Sequence, residues 1–382
     1  MPRHPSGEEP ADNGGRTIGH QKHYPPPAEP VAGRRTDDAR RRRDDPDNPP
    51  TERGKVSTKV PGRHTGRKIR WRERGITIEV DHLQGAGGEG EVYSVRQHPE
   101  LAVKIYHEDR RPTGTMAEKI SAMEAIRLDF SKSPAQAQPR IAWPEKVIKE
   151  SNSDQVTGIV MPMVDRGRTD AISQFLNVQK RKRSLPKYRT TEDRFLELRP
   201  LIARNVVTAV KVLHEAECVI GDVNDENILI NPATGEATII DCDAFQVVDR
   251  KNRAIHRCKV GREQFTPPEM LELLIQDECK YERCRRRREE GRHKPDYSCL
   301  ERRPEHDMFG IGVILFTLFM NTHPYAQKAP PTRGQTTLKD HILNRRYPYG
   351  RRGPGPNVAP VNQKSYQVIP DSLKELFLRT FS

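Results

Sequence analysis

The residues best suited to chemistry lie in one short block and in the segment that follows it. The block 219–227 contains Asp222 and Asn227, and a later apolar strand candidate is followed by Asp241. Carboxylate and amide oxygens are the hard ligands that Mg²⁺ prefers, and Mg²⁺ is usually shared between protein oxygens and substrate phosphates. The pattern therefore predicts a magnesium site that handles phosphates. Because Asp222 and Asp225 are also suited to turns and caps, the interpretation needs further motifs.

A glycine-rich segment upstream predicts a contact with phosphate. Residues 85–92 fit the pattern G-x-G-x-x-G-x-V between two strand candidates. Glycine lets the backbone approach a phosphate without a Cβ in the way, although a plain structural turn would use the same residues. The next strand candidate, 101–105, contains Lys104, whose ammonium needs an anionic partner if it is buried. Phosphate oxygens supply one partner, and Glu118 on the following helix candidate supplies another, with Glu124 as the second choice.

The elements that position these groups divide the chain into a strand-rich and a helix-rich part. Ile76, Ile78 and Val80 alternate with polar residues as in a half-buried strand, whereas helical spacings of three and four begin near residue 195. Two such parts predict two lobes with a cleft between them. The predicted strands are 76–80, 92–95, 101–105, 142–148, 158–164, 228–230 and 237–240, and the predicted helices are 116–128, 201–213, 309–319 and 373–381.

Taken in order, these motifs resemble those of protein kinases. The D-x-x-x-x-N spacing that starts at Asp222 is that of the kinase catalytic loop, and Asp241 stands where the metal-binding aspartate of D-F-G falls. Residues 101–104 resemble the kinase strand V-A-I-K. Small-molecule phosphotransferases of the aminoglycoside type share the loop and metal motifs. However, the segment 261–269, which ends in Pro-Pro-Glu, and the segment 307–312 resemble protein kinases instead.

The resemblance covers roughly residues 76–382 and implies a fold, cofactors and partners. The motifs G-D-x-N-x-x-N and I-D-C-D-x-F-Q look like a bacterial branch of the eukaryotic-like, Hanks-type kinases, often found beside phosphatase and von Willebrand A-type proteins. The implied fold is α+β and two-lobed, with a small β-rich N-lobe at 75–164, a larger helical C-lobe at 165–382 and an insert at 275–304. The implied cofactors are ATP and Mg²⁺, and the implied acceptor is a protein hydroxyl, with Ser/Thr favoured.

Site residues are carried over from the same resemblance. Asp222, Lys104 and Glu118 are the catalytic candidates, and Asn227 and Asp241 are the metal ligands. Met161 resembles the gatekeeper, and 162–163 resembles the hinge that binds adenine. The candidate nucleotide-binding residues are Gly85, Gly87, Gly88, Gly90, Val92, Ala102, Lys104, Met161 and Met163.

The catalytic motifs depart from the kinase pattern at several positions. Ile220 and Gly221 replace the histidine and arginine before the catalytic aspartate, so a phosphorylated activation segment would lack its usual basic partner. Asn224 replaces the lysine that contacts the transferred phosphate in serine/threonine kinases. Cys242 and Asp243 replace the Phe-Gly of D-F-G. For Asp243 we favour a structural role over metal binding.

Two other function classes stay open. The chain stops at Ser382, before the last helix that kinases usually have, and its catalytic loop is altered. A pseudokinase that binds nucleotide or partner proteins without catalysis is therefore one alternative, and a small-molecule phosphotransferase is another. The physiological substrate and the activating signal are not encoded in these motifs.

The insert 275–304 contains Cys279, Cys284, His293 and Cys299 together with four consecutive arginines. Three thiolates and an imidazole are zinc ligands, but the C-x4-C spacing with a lone third cysteine matches common zinc sites poorly. The favoured interpretation is a solvated basic helix or a loop that docks the substrate.

Composition indicates a soluble, cytoplasmic protein with anionic partners. Lys and Arg outnumber Asp and Glu by 66 to 53, which gives a formal net charge of +13. Residues 1–70 are rich in Pro, Gly, Arg and Asp and are predicted to be a disordered basic tail, with nucleic-acid binding a weaker possibility. Six irregularly spaced cysteines suit a reducing compartment, and the sequence has neither a signal peptide pattern nor an apolar run long enough to span a membrane.

Overall fold

A six-stranded antiparallel sheet occupies the first part of the described chain, in the strand order β1-β2-β3-β4-β7-β6. The structure is a computed structural model that describes residues 63–71, 76–135, 137, 139–150, 153–328, 337–350 and 359–382. Residues 1–62, most of the predicted basic tail, lie outside the described residues. The strands are β1 (Lys68–Trp71), β2 (Ile76–Ala86), β3 (Gly90–Val95), β4 (Leu101–Tyr106), β5 (Pro139–Ile141), β6 (Lys146–Lys149), β7 (Val156–Pro162), β8 (Asp170–Ala171), β9 (Cys218–Val219), β10 (Ile228–Ile230), β11 (Ala237–Ile239), β12 (Gln246–Asp249), β13 (Ala254–His256), β14 (Gln327–Lys328) and β15 (Ala359–Pro360).

Apolar patterning accounts for the arrangement of this sheet. Ile78 and Val80 of β2 point into the core, as their alternation with polar residues predicts. All six residues of β4 are buried, because this strand lies between β3 and β7 with both of its faces covered. Lys104 is thus fixed inside the sheet, opposite Val92 on β3 and Ile159 on β7.

Helices dominate the second part of the chain. In α4 a buried stripe that includes Ile202, Val206, Ala209 and Leu213 follows the helical period, and Thr191 caps its first turn. The second long helix, α7, is apolar over most of its length and is buried in the same core cluster. The helices are α1 (Thr115–Ala125), α2 (Ser173–Leu176), α3 (Val178–Ser184), α4 (Glu192–Glu215), α5 (Pro268–Leu274), α6 (Arg285–Glu289), α7 (Pro304–Met320), α8 (Leu338–Leu343), α9 (Gln363–Val368) and α10 (Asp371–Phe381).

Several element boundaries differ from the sequence prediction. Of the strand predicted at 142–148, only 146–148 are in a strand, β6; residues 142–145 connect it to β5, which belongs to a different sheet. Pro144 lies between them, and proline cannot donate a hydrogen bond to a continuous ladder. Strand β1 was not predicted, because it lies at the end of a polar segment; it pairs with β2 at the edge of the first sheet.

The architecture is mixed α/β, with a sheet region followed by a helical part. This order is compatible with a protein kinase-like fold. Within the described residues, none of the helices has the length and apolar character needed to cross a membrane.

Candidate active site

A short hairpin brings the two predicted metal ligands to one place. Strands β10 and β11 are antiparallel, and their register pairs Ile228 with Ile239. Residues just before β10 and just after β11 therefore share one end of the hairpin, and the N–H of Ile240 donates to the Asn227 carbonyl at 3.0 Å. Asn227 and Asp241 emerge there together. Asp241 has a left-handed backbone, with φ 62° and ψ 38°, an uncommon conformation for a residue with a side chain.

Lys104 lies at the centre of a cluster of carboxylates. Its Nζ is 2.6 Å from Asp243 Oδ2, 3.1 Å from Glu89 Oε2 and 3.5 Å from Asp241 Oδ1. The Tyr106 hydroxyl donates to the same Oδ2 of Asp243 at 2.7 Å. Oxygens of the three carboxylates lie within 4.8 Å of one another, close enough to share one cation.

The electrostatics of this cluster favour its ionised form. Burial disfavours the charge on Lys104, but the carboxylates of Asp243, Asp241 and Glu89 outweigh burial and raise the lysine pKa. Burial alone would raise the pKa of Asp243, but Lys104 and the hydrogen bonds from Lys104 and Tyr106 lower it. Burial raises the pKa of Asp241, although Lys104 opposes that shift. At neutral pH the lysine and Asp243 therefore form a buried ion pair.

Asp243 makes a different contact from the one the sequence suggested. The sequence favours a structural role, such as a backbone hydrogen bond, over metal binding. Its carboxylate is only 2% exposed and holds Lys104 and Tyr106 through side-chain contacts. The available signal is an acidic residue within a largely apolar segment, which must find a cationic or hydrogen-bonding partner if it is buried.

The glycines of the 85–92 segment serve two different purposes. A Cβ at Gly90 would lie 2.3 Å from the backbone oxygen of Ile105, so the close approach of β3 to β4 requires glycine there. A Cβ at Gly85, Gly87 or Gly88 would have no atom of the described structure within 4 Å. These three glycines leave open space above the Lys104 cluster.

Most of the predicted site residues line one cavity of about 390 Å³. The glycine-rich segment covers one side, Lys104 and the carboxylates lie within it, and the residues around Met161 line the rest. Asp222 and Glu118 do not line it. The predicted residues that do are Gly85, Gly87, Gly88, Gly90, Val92, Ala102, Lys104, Met161, Met163, Asn227 and Asp241.

The predicted hinge is bonded to the sheet at one position. Met161 pairs with Ala102 in the ladder between β4 and β7. Just beyond this ladder, the N–H of Met163 donates to the carbonyl of Glu100 at 2.8 Å. The N–H of Met163, one of the backbone groups of the predicted hinge, therefore has a protein acceptor in this structure.

The structure does not bring Glu118 to Lys104. Glu118 is exposed and lines a separate surface cavity, and Glu124, the second choice, pairs with Lys146 at 2.6 Å. Among the charged residues of α1, the buried one is Lys119, which is 4% exposed and lies beside the buried Ile120 and Met123. Burial lowers the pKa of Lys119 to about 8. The helical period carries the signal that was missed, because at about 100° per residue Lys119 shares the inner face with Met123, whereas Glu118 does not.

Asp222 lies on the loop between β9 and β10, beside the cavity. Asn224 donates to Asp222 Oδ2 at 3.0 Å and accepts from the N–H of Asn227 at 3.2 Å, so one side chain links the catalytic and metal candidates. Within the described part of the chain, the buried Oδ1 of Asp222 has no hydrogen-bond partner. Burial raises the pKa of Asp222, and the charges of Arg262 and Arg302 oppose that shift. A buried acceptor without a donor costs free energy, so this oxygen has an unmet demand for a hydrogen-bond donor.

Helix α7 holds this loop in place. Asp307, which is 1% exposed, accepts from the N–H groups of Ile220 and Gly221 at 2.7 and 2.8 Å and contacts His214 at 2.9 Å. Gly310 on the same helix faces the loop, and a Cβ there would lie 2.9 Å from Val223. The sequence identified the 307–312 motif, but its contact with the loop required the fold.

The residues present suit a magnesium–triphosphate complex. Open space at three glycines gives room for phosphates near backbone N–H groups, and Lys104 is a fixed cation beside that space. Asn227 and Asp241 offer the hard oxygen ligands that Mg²⁺ uses when it also binds phosphate oxygens. This combination is the arrangement expected for phosphoryl transfer.

The mixed fold and this cavity are compatible with a protein kinase-like protein. The chain is 28% identical, over 305 residues, to the protein kinase YegI of Escherichia coli strain K12, and equally similar to its counterpart in Escherichia coli O157:H7. Each match covers 78% of this chain, which spans about 40% of the length of these curated relatives. No family model matches the sequence. These similarities support a protein kinase-like family.

Proposed function

We propose that this chain is an ATP- and Mg²⁺-dependent protein kinase that transfers the γ-phosphate to protein hydroxyls, with serine and threonine as the acceptors. The observation that carries the proposal is the convergence of Lys104, Asn227 and Asp241 on one cavity beneath the open glycines. These groups come from separate parts of the sequence, and phosphoryl transfer is a chemistry that uses them together. The similarity to a named protein kinase supports the same conclusion.

Each residue has a role that follows from its position. The backbone at Gly85, Gly87 and Gly88 covers the phosphates, and Lys104 holds them with its fixed charge. Asn227 and Asp241 bind the magnesium, which when present would neutralise charge on the phosphates. Catalysis of this type depends mainly on alignment and electrostatic stabilisation, so the rigid hairpin that carries both ligands matters as much as their chemistry.

Asp222 orients the acceptor hydroxyl and accepts its proton. Its buried Oδ1 is the available acceptor, and Asn224 fixes the other carboxylate oxygen. Asp307 prevents the loop from shifting, since it binds two consecutive backbone N–H groups there. Displacement of the loop by one ångström would be expected to slow transfer greatly.

Transfer of labelled phosphate from ATP in the presence of Mg²⁺ tests the proposal. Asp222→Asn and Asp241→Ala should each lower the transfer rate by at least about 10²-fold, because each removes a group that acts in the transition state. Asp154→Asn, at an aspartate whose side chain is 99% exposed, is the matched control and should leave the rate unchanged. Normal transfer by Asp241→Ala would refute the assigned site.

A nucleotide-binding pseudokinase is the second candidate, and a specific observation favours it. Lys104 is already neutralised by Asp243, and α1 presents Lys119 rather than a glutamate to the interior. A site of this kind could bind nucleotide without aligning it for transfer. Saturable binding of ATP without transfer to the chain or to any protein substrate, under conditions in which Asp241→Ala loses binding, would select this candidate.

The finer parts of the proposal rest on the sequence resemblance. They are the two-lobed layout with N-lobe 75–164 and C-lobe 165–382, the serine and threonine preference, and a phosphatase or von Willebrand A-type partner. A cytoplasmic location is supported by the six cysteines, all of which are buried and outside disulfide bonds. Intact-mass analysis of phosphate on candidate protein substrates would test the acceptor class.

A further inference from the structure

Most of the insert that follows α5 lacks the large aliphatic side chains from which a core is usually built. Residues 276–299 contain no Val, Ile, Leu, Met, Phe or Trp. Instead, Cys279, Cys284 and Cys299 are buried, at 0%, 1% and 0% exposure, with Tyr281 packed against them. A small segment without an aliphatic core is commonly held in a fixed fold by a disulfide or a metal.

The four candidate ligands converge on one point. Cys284 Sγ lies 3.6 Å from Cys299 Sγ, and His293 Nε2 lies 3.2 Å from the same sulfur. With Cys279 included, one ligand atom from each of the four residues lies within 4.8 Å of the others. Zn–S bonds of about 2.3 Å place tetrahedral sulfur ligands about 3.8 Å apart, which matches this spacing. A disulfide would instead bring two sulfurs to about 2.05 Å.

From this geometry we propose that Cys279, Cys284, His293 and Cys299 form a structural zinc site. Four protein ligands close the coordination shell, which is the arrangement of structural rather than catalytic zinc. The sequence interpretation preferred a solvated basic helix because the spacing is unusual. The helix is present as α6, and it lies between the second cysteine and the histidine, where it brings His293 back to the sulfurs.

The surroundings of the cluster suit a bound cation with three thiolates. The N–H of Cys279 donates to the His293 carbonyl at 2.8 Å, which ties the two ends of the ligand loop together. Arg288 donates to the carbonyls of Cys279 and Tyr281 at 2.7 and 2.9 Å. The guanidinium of Arg287 lies 3.7 Å from Cys284 Sγ. Three thiolates around Zn²⁺ leave one net negative charge, and Arg287 offsets it.

The site connects the insert to the segment beside the candidate active site. Cys299 ends a 3-10 turn that begins at Tyr297, whose hydroxyl lies 3.3 Å from Thr266 Oγ1. A Cβ at Gly261 would lie 2.7 Å from the Tyr297 ring, so ring and backbone are in close contact. The zinc therefore anchors the residue that supports segment 261–269.

Metal analysis of the full chain tests the site directly. The purified protein should retain stoichiometric zinc through gel filtration, and replacement of the metal by Co²⁺ should give the visible absorption of tetrahedral cobalt–thiolate coordination. Cys279→Ser and Cys299→Ser should each lose stoichiometric zinc. Cys218→Ser is the matched control, because Cys218 is equally buried and donates to the Ala216 carbonyl at 3.4 Å, a bond that serine retains.

Measurements on the unaltered chain keep the test valid if a ligand variant fails to fold. A zinc chelator should lower the melting temperature of wild-type protein, and added Zn²⁺ should restore it. Three results would overturn the proposal: protein that contains no zinc and takes up no Co²⁺, full zinc content in Cys279→Ser, or a Cys284–Cys299 disulfide in peptide maps of protein kept under reducing conditions. None of these readouts depends on kinase activity, so failure of the zinc site and failure of the proposed function are separate results.

Discussion

Replacement of Asp243 by asparagine should destabilise the fold far more than removal of the other acidic partners of Lys104. The Asp243 carboxylate is 2% exposed and accepts from Lys104 at 2.6 Å and from Tyr106 at 2.7 Å. Asparagine removes its charge and leaves a mostly buried ammonium with weaker partners. Loss of one member of a buried ion pair costs about 3–5 kcal/mol, because the remaining charge is desolvated without compensation.

Glu89→Gln is the matched control for the same lysine. Glu89 pairs with Lys104 at 3.1 Å, but its side chain is 59% exposed. Water screens such a pair, so the change should cost no more than about 1 kcal/mol. Both substitutions remove the negative charge of one carboxylate beside Lys104, and the two sites differ in how deeply that carboxylate is buried.

Urea unfolding of both variants, followed by circular dichroism, measures the difference. The folded-state pKa of Asp243 lies below the value of about 3.9 for an unfolded aspartate. Its carboxylate therefore contributes full stability above that value and loses it as the pH falls through the folded-state pKa. The difference in the free energy of unfolding between wild type and Asp243→Asn should be constant near neutral pH and should become smaller in acid. An equal cost for the two variants, or a gap that widens in acid, would refute the buried ion pair.

Two further predictions separate packing from charge. Gly90→Ala should lower the free energy of unfolding by about 1–3 kcal/mol, because its Cβ would overlap the Ile105 backbone. Gly87→Ala should alter stability little and raise the KM for ATP. Thermal unfolding and ATP kinetics measure these effects, and equal melting temperatures for the two variants would contradict the packing argument. Lys119→Met should raise stability at pH 7 by roughly 1–3 kcal/mol, because burial lowers the lysine pKa to about 8 and charging it there costs free energy. The unfolded lysine holds its proton to higher pH, so the stability of wild type should rise relative to that of Lys119→Met above pH 8. If urea unfolding shows no narrowing of this stability difference above pH 8, a buried charge at Lys119 is excluded.

The elements that carry the site could be predicted wherever a local period was clear. The hairpin of β10 and β11 is such a case: two short apolar runs separated by a turn at 231–235 predict antiparallel strands, and the pairing brings Asn227 and Asp241 to one end. The alternation of apolar and polar residues in β2 and the apolar stripe of α4 could be predicted for the same reason. In each case burial of one face decides both the local structure and the register.

Contacts between distant segments could not be predicted in the same way. The sequence shows an acidic residue at 243 and a lysine at 104, but nothing local indicates that they form a buried pair. Gly221, which stands where kinases usually have arginine, is a second case in which a distant contact decides the residue. Gly221 has φ +72°, and a Cβ there would lie 2.6 Å from Cys258, so a larger residue cannot be placed without moving the neighbouring segment. The need for glycine is set by a residue far along the chain.

The charge of the site explains why nucleotide and metal are proposed together. Glu89, Asp241 and Asp243 surround the single ammonium of Lys104, so the cluster carries two net negative charges. A triphosphate is itself a polyanion and would be repelled by these carboxylates in a partly buried cavity, where screening is weak. A divalent cation held by Asn227 and Asp241 cancels those two charges and removes that repulsion. Thus the acidity of the cluster, which would oppose a free nucleotide, favours a metal–nucleotide complex.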